Sequence, residues 1–304
     1  MNRGSVTRSY PATGGPGYGE RWSMGFEIGP ARPGEWDQVV RWAAAEGWNP
    51  GRHDAEHFLM QDPAGFLLGR LDGKVVSAIS VVNYSDDYAF LGFYLVRPDR
   101  RRQGYGIETW HAGMRHAGSR TVGLDGVPDQ QDNYRREGFT SAYTTIRYRG
   151  KPNLEHKGED TEGIVPVEAK DLDLLSALDA AGHPADRHAF AARWAGDPRH
   201  TTRARFRDGM LTGYGVLRPA QDGYRVGPLL ATTPRDAAAI LASLLREAGD
   251  ATVSLDVPEP HHVARNLAEL HGLVPASRTA RMYTGPIRTL QQSLVYGVMS
   301  LELG

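Results

Sequence analysis

The chain of 304 residues contains no cysteine. That excludes disulfides, thiolate zinc sites, a thiol nucleophile and any acyl relay through sulfur. Lysine is nearly missing as well. Of 35 basic residues only Lys74, Lys151, Lys157 and Lys170 are lysine, which we read as coding bias of a GC-rich genome. Neither sign of charge is in excess: 35 basic against 36 acidic residues leave a net charge of −1. A nucleic-acid or anionic-membrane partner has no footprint in that balance. No apolar run approaches the ~18 residues that suggest a membrane-spanning helix. The N-terminus has no signal-peptide h-region. A cytoplasmic enzyme is the resulting expectation. His53 and His57 stand one helical turn apart, but no third ligand is signalled, so they read as surface histidines and no metal is expected.

What is present is organised around FLGFYLVRPDRRRQGYGIETWHAGMRHAG, Phe90 to Gly118. Its apolar start, Phe90 to Val96, reads as a buried strand that Pro98 ends. A basic loop leads to Gly104-Tyr105-Gly106, and Ile107 onward reads as a helix with Glu108 in its first turn. A strand thus runs through a glycine turn into a helix N-terminus. There main-chain N–H groups are unpaired and the helix dipole adds partial positive charge, which makes an anion cradle of diphosphate size. A Walker loop is excluded because no Gly-Lys-Ser/Thr follows. A dinucleotide fingerprint lacks its third glycine, since position 109 is threonine.

The pattern V-x-P-x-x-R-x-x-G-x-G, carried by Val96, Pro98, Arg101, Gly104 and Gly106, resembles the acetyl-CoA-binding signature of the GCN5-related N-acetyltransferase (GNAT) superfamily. The element order supports it. Read along the chain, residues 26–150 give β-α-α-β-β-β-α-β-α-β, with Asp72-Gly73 as a hairpin turn and Gly92 marking a bulge in the key strand. In the family that bulge splays two parallel strands and the pantetheine arm lies between them.

The chain then repeats itself. Val122-Gly-Leu-Asp125 echoes Val253-Ser-Leu-Asp256, Gly138-Phe139 echoes Gly272-Leu273, and Ile146-Arg-Tyr echoes Ala280-Arg-Met-Tyr283. We read a tandem duplication. The expected fold is α/β, with two GNAT-like domains, each a mixed and mostly antiparallel sheet flanked by helices. The expected parts are a disordered leader (1–25, with Met24 as an alternative start), a catalytic domain (26–150), a linker (151–163), a degenerate domain (164–284) and a C-terminal strand or tail (285–304). In the second copy Leu230-Ala-Thr-Thr-Pro234 replaces the arginine and glycine loop, so that copy is expected to bind CoA poorly. Packing, shaping the acceptor cleft and homodimer formation are the roles open to it. The combination GWNPG, DPAGF, FLGFYLVRP and GLDGV resembles a two-domain group of this superfamily.

The resemblance implies residue roles. Arg101, Arg102, Gln103, Gly104, Tyr105 and Gly106 would cradle the diphosphate of acetyl-CoA. A main-chain N–H at Leu95 or Val96 would polarise the acyl carbonyl. Tyr134, in Tyr134-Arg-Arg-Glu-Gly138-Phe139, matches the family's general-acid tyrosine, with Asn133 beside it as a cofactor contact. Asp125 is the nearest acidic candidate for a base, although its echo in Asp256 favours a structural task. Trp48, Asn49 and Tyr84 would line the acceptor side. The function implied is acetyl transfer to the primary amine of a small molecule: a polyamine, amino acid, amino sugar or natural-product amine. The alternatives are a protein lysine acetyltransferase and a non-catalytic acyl-CoA-binding scaffold.

Overall fold

The computed structural model describes residues 25–154 and 162–304. Nearly all of the expected leader and the middle of the expected linker lie outside the described residues. The first half comprises β1 (Phe26–Pro30), α1 (Trp36–Ala45), α2 (Asp54–Gln61), β2 (Phe66–Leu71), β3 (Lys74–Asn83), β4 (Tyr88–Val96), α3 (Tyr105–Ala117), β5 (Thr121–Gly126), α4 (Gln131–Arg136) and β6 (Thr140–Gly150). The second comprises β7 (Ile164–Pro166), α5 (Leu172–Gly182), α6 (His188–Ala195), β8 (Thr201–Arg207), β9 (Met210–Pro219), β10 (Tyr224–Ala231), α7 (Pro234–Ala248), β11 (Val253–Pro258), α8 (His262–Leu270), β12 (Val274–Tyr283) and β13 (Val295–Gly297).

Local chemistry explains the joints. Asp72 and Gly73 both have positive φ, at 49° and 74°, as the tight turn between β2 and β3 requires. Asp208 and Gly209 repeat it at 50° and 76° between β8 and β9. In α1, Trp36, Val39 and Ala43 fall on one face and are buried, the spacing of an amphipathic helix laid on a sheet. β3 is buried along nearly its whole length, because helices cover both faces of the sheet there.

The strands form one continuous sheet in the order β1-β2-β3-β4-β5-β12-β6-β11-β10-β9-β8-β7, with β13 added on β10. Among the described residues, only β4–β5 and β10–β11 pair in parallel. The two halves exchange their last long strands: β12 of the second pairs with β5 of the first, and β6 of the first pairs with β11 of the second. Each exchanged strand carries an arginine to an aspartate of the other half. Arg281 forks Asp125 at 3.1 and 2.7 Å, and Arg147 forks Asp256 at 2.7 and 2.9 Å. The expected C-terminal strand or tail (285–304) contributes only a three-residue strand, Val295–Gly297, which pairs with β10. The main chain then turns, with Gly304 N–H donating to Ser300 O at 3.0 Å.

Candidate active site

The parallel ladder between β4 and β5 runs from Tyr88 opposite Thr121 to Leu91 opposite Leu124 and stops there. On the other side of β4 the register shifts, so that Ile79 of β3 faces both Phe93 and Tyr94. This is the bulge expected near Gly92, and Phe93 sits at φ 45° within it. The extra residue reverses the faces. Phe90 and Phe93, three apart, pack into one core cluster, whereas Leu91 belongs to the cluster under α3. Past the bulge the two parallel strands part, and Gly92, Tyr94 and Val96 are half-exposed along the opening. Arg97 N–H donates to Val76 O at 2.9 Å. By the two-residue alternation of a strand, Leu95 N–H points the same way, toward β3, and Val96 N–H points into the slot. Of the two expected carbonyl-polarising donors, the geometry therefore favours Val96.

Below the slot lies the loop. Arg102 has φ 62° and Gly104, which caps α3, has φ 93°. Two left-handed residues so close curl the chain into a nest. The main-chain N–H groups from Arg101 to Gly106 find no acceptor among the described residues, and residues 101–104 are exposed. A Cβ on Gly106 would stand 2.9 Å from Tyr94 Oη and 3.1 Å from Val96 Cγ2, so a side chain there would fill the approach. Arg101 braces the loop: its Nε donates to Val96 O at 3.1 Å and its Nη2 pairs with Glu46. Gln103 holds Asp99 O at 3.1 Å, and the Tyr105 ring packs on Phe26 at 4.8 Å. Outward amides, a helix dipole and flanking cations suit a diphosphate.

Tyr134 projects from α4 and stacks on Trp110, with centroids 5.5 Å apart and planes at 24°. Burial pushes its phenol well above the usual tyrosine value, so the proton stays on the oxygen at neutral pH. Asn133 spends its side chain locally, donating to Gln130 at 2.7 Å and accepting from Arg136 at 2.8 Å. Tyr94 is a residue the motif reading passed over. It lies in the splayed segment, edge-on to Trp110 at 5.3 Å, and burial raises its phenol to about 12. The available signal was a tyrosine next to an expected bulge.

The remaining candidates do not gather there. Asp125 is committed to Arg281, and its side chain is fully buried. Asn49 exchanges hydrogen bonds with the main chain of Asp222 at 2.9 and 2.8 Å, and Trp48 packs at the edge of the core. Tyr84 is buried and donates to Leu303 O at 2.9 Å. Asn49 and Tyr84 thus join the two halves. His53 is partly exposed, but His57 is not a surface histidine. It is buried with Nε2 2.7 Å from Asp197 Oδ2. His200 completes a group of three whose ligand atoms lie within 4.8 Å. Arg199 already forks Asp197, the nearest contact being 2.6 Å, so the carboxylate's charge is balanced and we assign no metal.

The second copy of the slot is filled. Its parallel ladder stops at Val226 opposite Leu255, as in the first copy, but β13 enters the gap and pairs with Leu229 and Leu230. Gly297 fits so closely that a Cβ would lie 2.5 Å from Leu255 Cδ1. The helix start beyond is also satisfied internally. Thr233 accepts from Asp236 N–H at 3.2 Å, and Asp236 is paired with Arg207 at 2.8 Å. No cradle is left open there.

An open slot beside a helix-start nest, and its blocked copy, define a tandem acyltransferase of GNAT architecture. The pattern of the "Acetyltransferase (GNAT) family" matches residues 34–139, and that of an "Acetyltransferase (GNAT) domain" matches residues 175–297. The chain belongs to the GNAT family. It is 36% identical over 279 residues to the holothin acyltransferase of Pseudoalteromonas sp. (strain SANK 73390), a match covering 90% of this chain and 93% of that relative. Among solved structures, a candidate acetyltransferase from Pyrococcus horikoshii superposes with a TM-score of 0.78 at 22% identity, covering 92% of this chain and 96% of the other. A tandem GNAT protein from the clavulanic acid biosynthesis pathway gives 0.60 at 18% identity, covering 86% and 99%.

Proposed function

We propose that this acyltransferase moves an acetyl group from acetyl-CoA to the primary amine of a small molecule, within a ternary complex in the first half of the chain. The observation that carries the reading is the parting of β4 and β5 after Leu91 and Leu124, directly beside unpaired amides at the start of α3. Acyl-CoA, when bound, supplies an activated thioester.

The chain's own groups supply the rest. The amides of the 101–106 nest, with Arg102 beside them, bind the diphosphate. Val96 N–H is aimed at charge developing on the carbonyl oxygen. As the amine nitrogen bonds to the carbonyl carbon, the C–S bond breaks and Tyr134 gives its proton to the departing sulfur. The amine gives up one proton, which passes to solvent water. Asp125, held by Arg281, is not free to take it. A small-molecule acceptor agrees with the holothin acyltransferase relative. The test is thiol release with a panel of amines, run beside calorimetric titration with CoA. Binding and amine-dependent release support the reading, whereas binding with release no faster than hydrolysis refutes it.

A further inference from the structure

The nest is built mainly from main chain, and one phenol stands at its inner edge. Tyr94 lies two residues past Gly92 on β4, and its ring meets Trp110 of α3 edge-on at 5.3 Å, with planes at 63°. That contact puts the ring on the α3 face of the sheet. Val96, two residues further, shares the face by the alternation of a strand. Both side chains reach the start of α3. A Cβ built on Gly106 would stand 2.9 Å from Tyr94 Oη and 3.1 Å from Val96 Cγ2, with Tyr94 Cζ farther off at 3.7 Å. The hydroxyl is therefore the leading edge of the ring.

Gly106 is the second residue of α3. In a helix each Cα–Cβ bond tilts toward the N-terminus, the side to which the first, unpaired N–H groups also point. A hydroxyl 2.9 Å from that Cβ position thus lies on the open side of the helix start, beside the amides of Tyr105 and Gly106. Tyr94 is half-exposed, and its hydroxyl has no hydrogen-bond partner among the described residues. Burial, and then the nearby Glu137, raise the phenol to about 12. At neutral pH it is an uncharged donor and does not repel an anion. Tyr134 holds a different place. It packs on β5, where a Cβ on Gly126 would come within 3.0 Å of its Cδ2.

We propose that Tyr94 is a cofactor contact: its hydroxyl donates to the diphosphate of CoA where the cofactor turns from the nest into the slot. This rests on the acyl-transfer reading above. It adds one side-chain donor to a grip otherwise made by main-chain amides and Arg102. It also gives position 106 a second reason to be glycine, because a Cβ there would displace the hydroxyl.

The experiment is calorimetric titration of the full chain with CoA, wild type against Tyr94→Phe. Beside it, thiol release is measured from acetyl-CoA and from acetyl-pantetheine, which keeps the thioester arm and lacks the diphosphate. Tyr94→Phe preserves the ring and its Trp110 contact. We expect the CoA Kd to rise about tenfold, as for a lost hydrogen bond to a charged group, with an unmoved melting midpoint. In turnover the loss should appear in KM for acetyl-CoA and not in kcat. The ratio of kcat/KM for acetyl-CoA to that for acetyl-pantetheine should fall by a similar factor. An unchanged CoA Kd overturns the proposal and leaves acyl transfer standing. An equal loss with both thioesters also overturns it, by placing the hydroxyl at the reacting end. A wild type that does not bind CoA removes both readings. A second pair of variants separates contact from repacking. Gly106→Ala should weaken CoA binding less in the Tyr94→Phe background than in wild type, since the hydroxyl it displaces is already gone. Additive losses would mean that glycine and hydroxyl act apart, which overturns the proposal.

Discussion

At the scale of single residues, two substitutions separate binding from chemistry. Gly104 has φ 93° and open space where a Cβ would be, so the objection to a side chain there is backbone conformation and not crowding. Gly104→Val disfavours the left-handed turn by roughly 1–2 kcal/mol and unmakes the nest. We expect CoA affinity to fall at least tenfold in calorimetry while the melting midpoint moves only a few degrees. Full affinity would refute the cradle. Tyr134→Phe keeps the Trp110 stack and deletes one hydroxyl. It should lower kcat by about 10²–10⁴ with CoA affinity retained, and an unaltered kcat would dismiss Tyr134 as the acid. The motif residues of the loop were legible in the sequence because a strand, a glycine turn and a helix start are local. Asp125 was only half legible. Its echo in Asp256 announced a structural role, but the partner, Arg281, lies 156 positions away, and no spacing rule reaches that far.

At the scale of elements, the end of β4 at Val96 could be read directly, since Pro98 closes its apolar run. The strand exchange was not readable. The two copies are alike, so β6 and β12 carry similar patterns, and a side-chain period of two says which face is buried but not which neighbour pairs. The same limit hid the fate of the second slot. Its lost arginines and glycines were visible in the sequence, but the occupant, β13, is a three-residue strand far along the chain. This contact gives a clean control on which slot matters. Gly297→Val forces a Cβ into Leu255 and should destabilise the fold by about 1–3 kcal/mol, read by thermal or urea unfolding. Because β13 plugs the copy without a cradle, CoA affinity and kcat at 25 °C should stay within twofold of wild type. A collapse of CoA binding in a still-folded variant would place the cofactor in the second half.

At the scale of the whole molecule, one sheet and a set of buried pairs make the halves inseparable. Arg147–Asp256, Arg281–Asp125 and Arg218–Asp54 all cross from one half to the other. With both sheet and charges shared, unfolding should be a single transition despite the duplication. Its pH dependence follows from the aspartates. For Asp256, neighbouring Arg147 and Arg225 overcome the cost of burial and hold the carboxyl below its ordinary value. Asp54 is held down in the same way by Arg218. A group depressed on folding adds stability above the unfolded value near ~4, and that stability drains away as pH falls below it. Asp125 runs the other way. Burial outweighs Arg281 and raises its carboxyl, so its charged form costs stability as pH rises, which offsets part of the gain. The depressed pair should prevail, and the melting midpoint should fall steadily from pH 5 to pH 3. Asp256→Asn leaves Arg147 buried without its anion, at a cost of about 3–5 kcal/mol near neutrality, and removes one of the titrating groups. The variant should therefore melt lower at pH 7, but its midpoint should change less between pH 5 and pH 3, bringing the two curves together in acid. Parallel curves would mean that Asp256 does not carry the acid response, and two separate transitions at neutral pH would mean that the exchanged strands do not lock the halves into one cooperative unit.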